Sequence, residues 1–180
     1  MGKKALIIYG TRGGATTAIA EEIGKALTEQ GFESTVKDVR DIKGVDVNAY
    51  DLIIAGSSVW GGMWTRNMSV FLNKKQGILA NKKVALFASG LSGADPTQRD
   101  RGMKSYLEKV AAKYPAVKPL SLGLFGGYMD FDSHSPIIRL LGGAIKKGLK
   151  EKGVDTNKPY DTRDFVAIHK WAEEVAVKAL

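Results

Sequence analysis

The 180-residue sequence predicts an α/β fold, a three-layer sandwich around a five-stranded parallel sheet in the order 2-1-3-4-5. Short runs that are apolar throughout, such as ALIIY at 5–9 and LIIA at 52–55, read as central parallel strands buried on both faces. They alternate along the chain with segments whose apolar residues recur at helical spacing, which calls for right-handed crossovers and helices on both faces. The first strand meets the first helix at a glycine pair, where a doubly wound sheet places its ligand.

Residues 3–9 form the first strand, and the helix over 15–30 turns Ile19, Ile23, Ala26 and Leu27 to the core until Gly31 stops it. Residues 32–36, with Val39 following, read as the second strand, and 38–50 as a polar connection with room for one helical turn. DLIIAG at 51–56 is the third strand, answered by a helix over 67–74. KKVALFAS at 82–89 is the fourth, followed by a helix over 98–113, and 117–124 is the fifth. The last helix runs over 163–179, with Phe165, Ile168, Trp171, Ala172, Val175 and Ala176 at helical spacing. An insertion at about 126–162 is too long for a plain connection. Within it, 136–152 reads as a helix that Gly142 and Gly143 weaken. The whole of 1–180 is expected to be one domain.

Composition removes several function classes. The chain has no cysteine, which excludes disulfides, thiolate metal sites and cysteine nucleophiles. Two histidines make an all-protein zinc site a poor expectation, and none is assigned. No run of about 18 apolar residues and no signal-peptide pattern is present, so a cytoplasmic location is expected. The net charge of +8 implies attraction to something acidic, whether nucleic acid, an anionic membrane surface or a small acidic molecule. Nothing in the chain has the form of a nucleic-acid reading module.

The stretch YGTRGGATTAIA at 9–20 carries the clearest chemistry. Gly13 and Gly14 leave backbone N–H groups uncovered at a helix N-terminus, which suits a phosphate. Thr11, Thr16 and Thr17 add hydroxyls, Arg12 a full charge, and Ala15 opens the helix. No Lys-Ser or Lys-Thr follows the glycines, so this is not a Walker A loop, and the spacing misses G-x-G-x-x-G. A phosphomonoester fits what remains, and FMN carries one.

Two more loops arrive at the same sheet edge. In the second, Ser58, Val59, Trp60 and Gly61 precede Trp64; an exposed indole there covers a flat heteroaromatic ring, while Trp64 is equally suited to the core. The third, with Ser89, Gly90, Leu91 and Gly93, is small and polar and could bring backbone N–H groups to such a ring's polar edge, leaving one face open.

Together these loops and the element order resemble the flavodoxin-like FMN proteins over nearly the whole chain, and the fold expected is therefore a flavodoxin-like three-layer sandwich. Within them the phosphate loop at 11–16 and the C-terminal residues 155–158 and 165–176 are most similar to the group containing menaquinone-dependent protoporphyrinogen dehydrogenases. The resemblance implies FMN as cofactor. It also implies an FMN-dependent oxidoreductase carrying electrons from an organic donor, such as a porphyrinogen, to a quinone. The alternative is a soluble electron carrier between redox partner proteins. The chain departs from flavodoxins proper in three ways. A glycine, Gly13, stands where a third hydroxyl is usual, so Arg12 or backbone must supply one phosphate contact. The third loop lacks an aromatic, and the chain is basic where many are acidic.

Tyr128, Asp130 and His134 follow the fifth strand and are candidates to edge the substrate side or handle protons. The helix at 136–152 carries Arg139, Lys146, Lys147, Lys150 and Lys152, and reads either as a packed helix with a solvated basic face or as a peripheral membrane contact.

Overall fold

The alternating apolar runs resolve into one parallel sheet in the order β2-β1-β3-β4-β5, as the sequence predicts. The computed structural model describes residues 2–132 and 136–180. The strands are β1 (Lys4–Gly10), β2 (Glu33–Asp38), β3 (Leu52–Ser58), β4 (Lys83–Ser89) and β5 (Pro119–Phe125). Their carboxyl ends fall on one line, because Gly10 pairs with Ser57, Ser58 with Ser89, and Ser89 with Phe125. The loops that leave β1, β3 and β4 therefore emerge side by side.

Helices α1 (Ala15–Glu29) and α6 (Phe165–Ala179) cover one face of the sheet. There Ile7, Ile19, Ile23, Leu27, Ile54 and Phe87 are fully buried, with a cluster of Phe87, Phe125 and Trp171 rings 5.4–6.4 Å apart. The other face carries α2 (Arg66–Leu79) and a helix in three parts, α3 (Pro96–Gly102), a π turn (Met103–Glu108) and α4 (Lys109–Lys113). Each fully buried Leu or Ile on either face contributes about 1.5–3 kcal/mol.

The structure departs from the sequence reading in several places. The helix α2 ends at Leu79, five residues beyond the expected 74, because Ile78 and Leu79 still pack on the sheet. Val39 leaves the second strand and opens a 3-10 turn whose first N–H groups are capped by Asp38. A second such turn spans Val47–Ala49, where one turn was expected. The helix expected to run unbroken over 98–113 widens at Met103–Glu108, where the Tyr106 carbonyl accepts the Trp64 indole N–H at 2.7 Å. Trp64 accordingly belongs to the core, 6% exposed.

The insertion contains a two-residue antiparallel ribbon, β6 (Tyr128–Met129) with β7 (Tyr160–Asp161), and the helix α5 (Pro136–Glu151). Gly126 sets the ribbon. A Cβ there would collide with the Thr162 backbone, and the Thr162 hydroxyl both accepts the Gly127 N–H and donates to the Gly127 carbonyl at 3.0 Å.

Candidate cofactor site

The three loops, with residues 127–129, line a cleft at the carboxyl edge of the sheet. Its first wall is the loop between β1 and α1. Gly14 takes a left-handed conformation, φ 82°, so that its N–H meets the Thr11 hydroxyl at 2.9 Å and its carbonyl accepts the Thr17 N–H. Among the described residues the N–H groups of Gly13, Ala15 and Thr16 have no protein acceptor. They sit at the positive end of the α1 dipole, and Gly13 and Ala15 line the cleft. Free N–H groups so arranged at a helix N-terminus suit an anion.

Of the fifteen residues the sequence assigns to cofactor binding, ten line the cleft: Thr11, Arg12, Gly13, Ala15, Ser58, Val59, Trp60, Ser89, Gly90 and Leu91. The other five stand outside it for identifiable reasons. Gly14 and Thr17 form the helix cap. Thr16 is fully buried, its hydroxyl 3.0 Å from that of Ser89, so it joins the start of α1 to the end of β4 beneath the cleft. Gly61 lies in the turn that Trp60 and Met63 close with two backbone hydrogen bonds. Gly93 is packed against the backbone of Phe125 and Gly126.

Two expected roles change. Arg12 was expected to reach the phosphate; its guanidinium instead donates to the carbonyls of Ser58 (3.1 Å), Met63 (3.3 Å) and Trp64 (2.9 Å). It clamps the first loop to the second, and partial burial lowers its pKa from the ordinary arginine value. The third loop was expected to offer several N–H groups. The Gly90 N–H is taken by the Phe125 carbonyl, and the Val59 N–H by that of Ser89. Among the described residues the Leu91 N–H meets no protein acceptor, and the Ser58 hydroxyl is buried without a partner. The walls thus retain unpaired polar groups of the kind a bound ligand satisfies.

Tyr128 lines the cleft, with the Arg163 guanidinium 4.9 Å from its ring centre. Asp161 pairs with Arg163 at 2.6 Å, and that hydrogen bond holds its carboxyl below the usual range. Asp130 does not line the cleft; its carboxylate accepts the Asp132 N–H and shapes a turn. His134 lies outside the described residues. Gly127 and Met129, which flank Tyr128 in the segment expected to edge the open face, also line the cleft. Two basic residues of the insertion are engaged within the domain, Lys146 over the Phe131 ring at 5.6 Å and Lys152 with Asp95 at 3.3 Å. Among the described residues no helix is long and apolar enough to cross a membrane, and no cluster of ligating side chains could hold a metal ion.

Sheet order and cleft position define the class: a doubly wound α/β protein with its ligand site at the carboxyl edge of the sheet, where the strand order reverses. Within that class the chain belongs to the flavodoxin domain family, whose model matches residues 6–155. It is similar to the protoporphyrinogen IX dehydrogenase [quinone] of Escherichia coli, 25% identical over 175 residues that cover 96% of this chain and 94% of that one. Among solved structures, a flavodoxin from the domain Archaea covers 98% of both chains at 20% identity and a TM-score of 0.55. A Lactobacillus acidophilus flavoprotein solved in complex with FMN covers 68% of this chain and 93% of its own, at 20% identity and a TM-score of 0.53. The chain is thus a flavodoxin-like oxidoreductase of the electron-transfer kind.

Proposed function

We propose that the cleft binds FMN and that the protein passes electrons from an organic donor to a quinone-type acceptor. The observation that carries the reading is the backbone cradle of Gly13, Ala15 and Thr16, opening into a cleft walled by Trp60 and Leu91. In this assignment those N–H groups, with the Thr11 side chain beside them, hold the phosphate. Trp60 covers one face of the ring, and Ser58 and the Leu91 N–H meet its polar edge. Arg12 holds the first two walls together, and Tyr128 and Met129 border the side a substrate approaches. The flavin supplies two-electron redox chemistry, while the chain binds it, orients it and limits water. The reading needs no general base from the protein.

The particular couple, a porphyrinogen as donor and a quinone as acceptor, is supported by similarity to the Escherichia coli enzyme across nearly its whole length. A membrane role for α5 has its basic composition as support, but Lys146 and Lys152 are already engaged inside the domain. The test has two stages. Purified protein should be yellow or take up FMN in about a 1:1 ratio, a demand of the single cleft; a colourless protein that ignores added FMN removes the whole reading. The loaded protein should then show steady-state turnover with menadione as acceptor. Exchange with a reductase but no quinone turnover would leave a soluble electron carrier.

A further inference from the structure

We propose that the basic groove behind the second loop docks an acidic protein that exchanges electrons with the cofactor site in place of a small organic donor; this rests on the FMN binding proposed above. The groove lies between the start of α2 and the π turn with α4. Arg12, Arg66, Lys109 and Lys113 rim it, no carboxylate lines it, and among the described residues none of the four forms an ion pair. Arg12 is held by the loop carbonyls and Lys113 lies 5.8 Å from the Tyr114 ring centre, but neither contact neutralises a charge, so the groove keeps a positive field that attracts an anionic surface.

The surplus is built into the elements. Helix α2 carries Arg66, Lys74 and Lys75 and no acidic residue, and residues 96–113 set Arg99, Arg101, Lys104, Lys109 and Lys113 against Asp100 and Glu108. Each of those two segments carries three net positive charges, beside the four carried by residues 136–152.

The occupant follows from the rest of the lining. Met63, 67% exposed, also lines the groove and offers an adaptable apolar contact. Arg66, Lys109 and Lys113 are exposed, and no shaped pocket of buried donors accompanies them, so the groove suits a broad carboxylate surface better than one small anion. Trp64 and Tyr114 are 6% and 4% exposed, which leaves no aromatic platform for stacked bases and disfavours single-stranded nucleic acid. Arg12 lines both the groove and the cofactor cleft, so a partner seated here abuts the loop that walls the cofactor. The field would also steer an acidic partner toward this side.

The probe is a plant-type ferredoxin, an acidic redox protein, titrated into apoprotein and FMN-loaded protein by calorimetry. Binding is expected at about 20 mM salt and should weaken at least about tenfold by about 200 mM. The Lys109→Glu/Lys113→Glu variant should weaken it by about tenfold or more at low salt, while still binding FMN in about a 1:1 ratio. No binding at low salt overturns the proposal. So does unchanged affinity in that variant, or an equal loss on Lys146→Glu/Lys147→Glu in α5. Tighter binding of inorganic pyrophosphate, or of a single-stranded RNA, at the same groove would also overturn it. Apoprotein that binds ferredoxin but refuses FMN would sink the function proposed above and leave this surface standing.

Discussion

At the scale of one residue, Arg12 matters most, because sequence and structure give it different work. A cation beside a phosphate loop reads as a phosphate ligand, yet its guanidinium spans carbonyls 46 to 52 positions away. A clamp and a ligand make opposite predictions for a flavin without a phosphate. Arg12→Ala leaves three carbonyls without their charged donor and frees the second loop, so FMN affinity should fall about tenfold, the order of one charged hydrogen bond. Riboflavin, which lacks the phosphate, should lose affinity by a similar factor, because the wall that touches the ring is what loosens. Fluorescence titration of both flavins decides the matter, and a loss confined to FMN would restore the direct phosphate contact. Thr16 teaches a related lesson: its hydroxyl works under the cleft on Ser89, so its contribution to the cradle is its backbone N–H.

Among the elements, the pairing of α1 with α6 carries a pH dependence. His169 on α6 has Nδ1 2.7 Å from a Glu22 carboxylate oxygen and Nε2 3.2 Å from Glu29, both on α1, with Glu173 at 3.9 Å. The hydrogen bond that His169 donates to the Glu22 carboxylate raises its pKa above the ordinary value; desolvation opposes this, and the charges of Glu29, Glu22 and Glu173 add to the rise. A raised folded-state pKa means that this contribution to stability is fully present below about pH 6.5, the unfolded value. It is lost as pH rises through the folded value. Urea unfolding followed from pH 6 to 8.5 should show the wild type losing its advantage over His169→Gln; parallel curves would dismiss the pairing as a source of stability. Other elements differ in how far the sequence exposes them. The five strands are legible because a parallel strand buried on both faces is apolar throughout. The β6–β7 ribbon is not, since two-residue strands have no periodicity and theirs depends on Gly126 meeting Thr162, 36 positions on. The π turn is equally hidden: what accompanies it is a bond from Trp64, which composition places as readily in a ligand site as in the core.

On the scale of the whole molecule, the sequence discloses the size of the charge but not its placement. The net +8 is visible in composition, whereas the share carried by α2 and residues 96–113 acquires meaning only once those segments face each other across a groove. The same distribution bears on redox chemistry. Among the described residues Arg12 is the sole charged one lining the cofactor cleft, and the basic groove begins on the other side of the second loop. Reduction adds negative charge to a bound flavin, and a positive surrounding field stabilises that form, which raises the potential. The midpoint potential of protein-bound FMN should therefore lie above that of FMN free in solution. Part of the elevation comes from groove charges exposed to water, which ions screen beyond about 10 Å at 0.1 M, so added salt should bring the potential down toward the free value. Lys109→Glu/Lys113→Glu should lower it at low salt and flatten its salt dependence. Equilibration with reference dyes at about 20 mM and about 500 mM salt measures both effects, since screening differs strongly between those limits. A potential far below that of free FMN, or one indifferent to salt and to charge reversal, would show that groups at the flavin edge outweigh the field of the molecule.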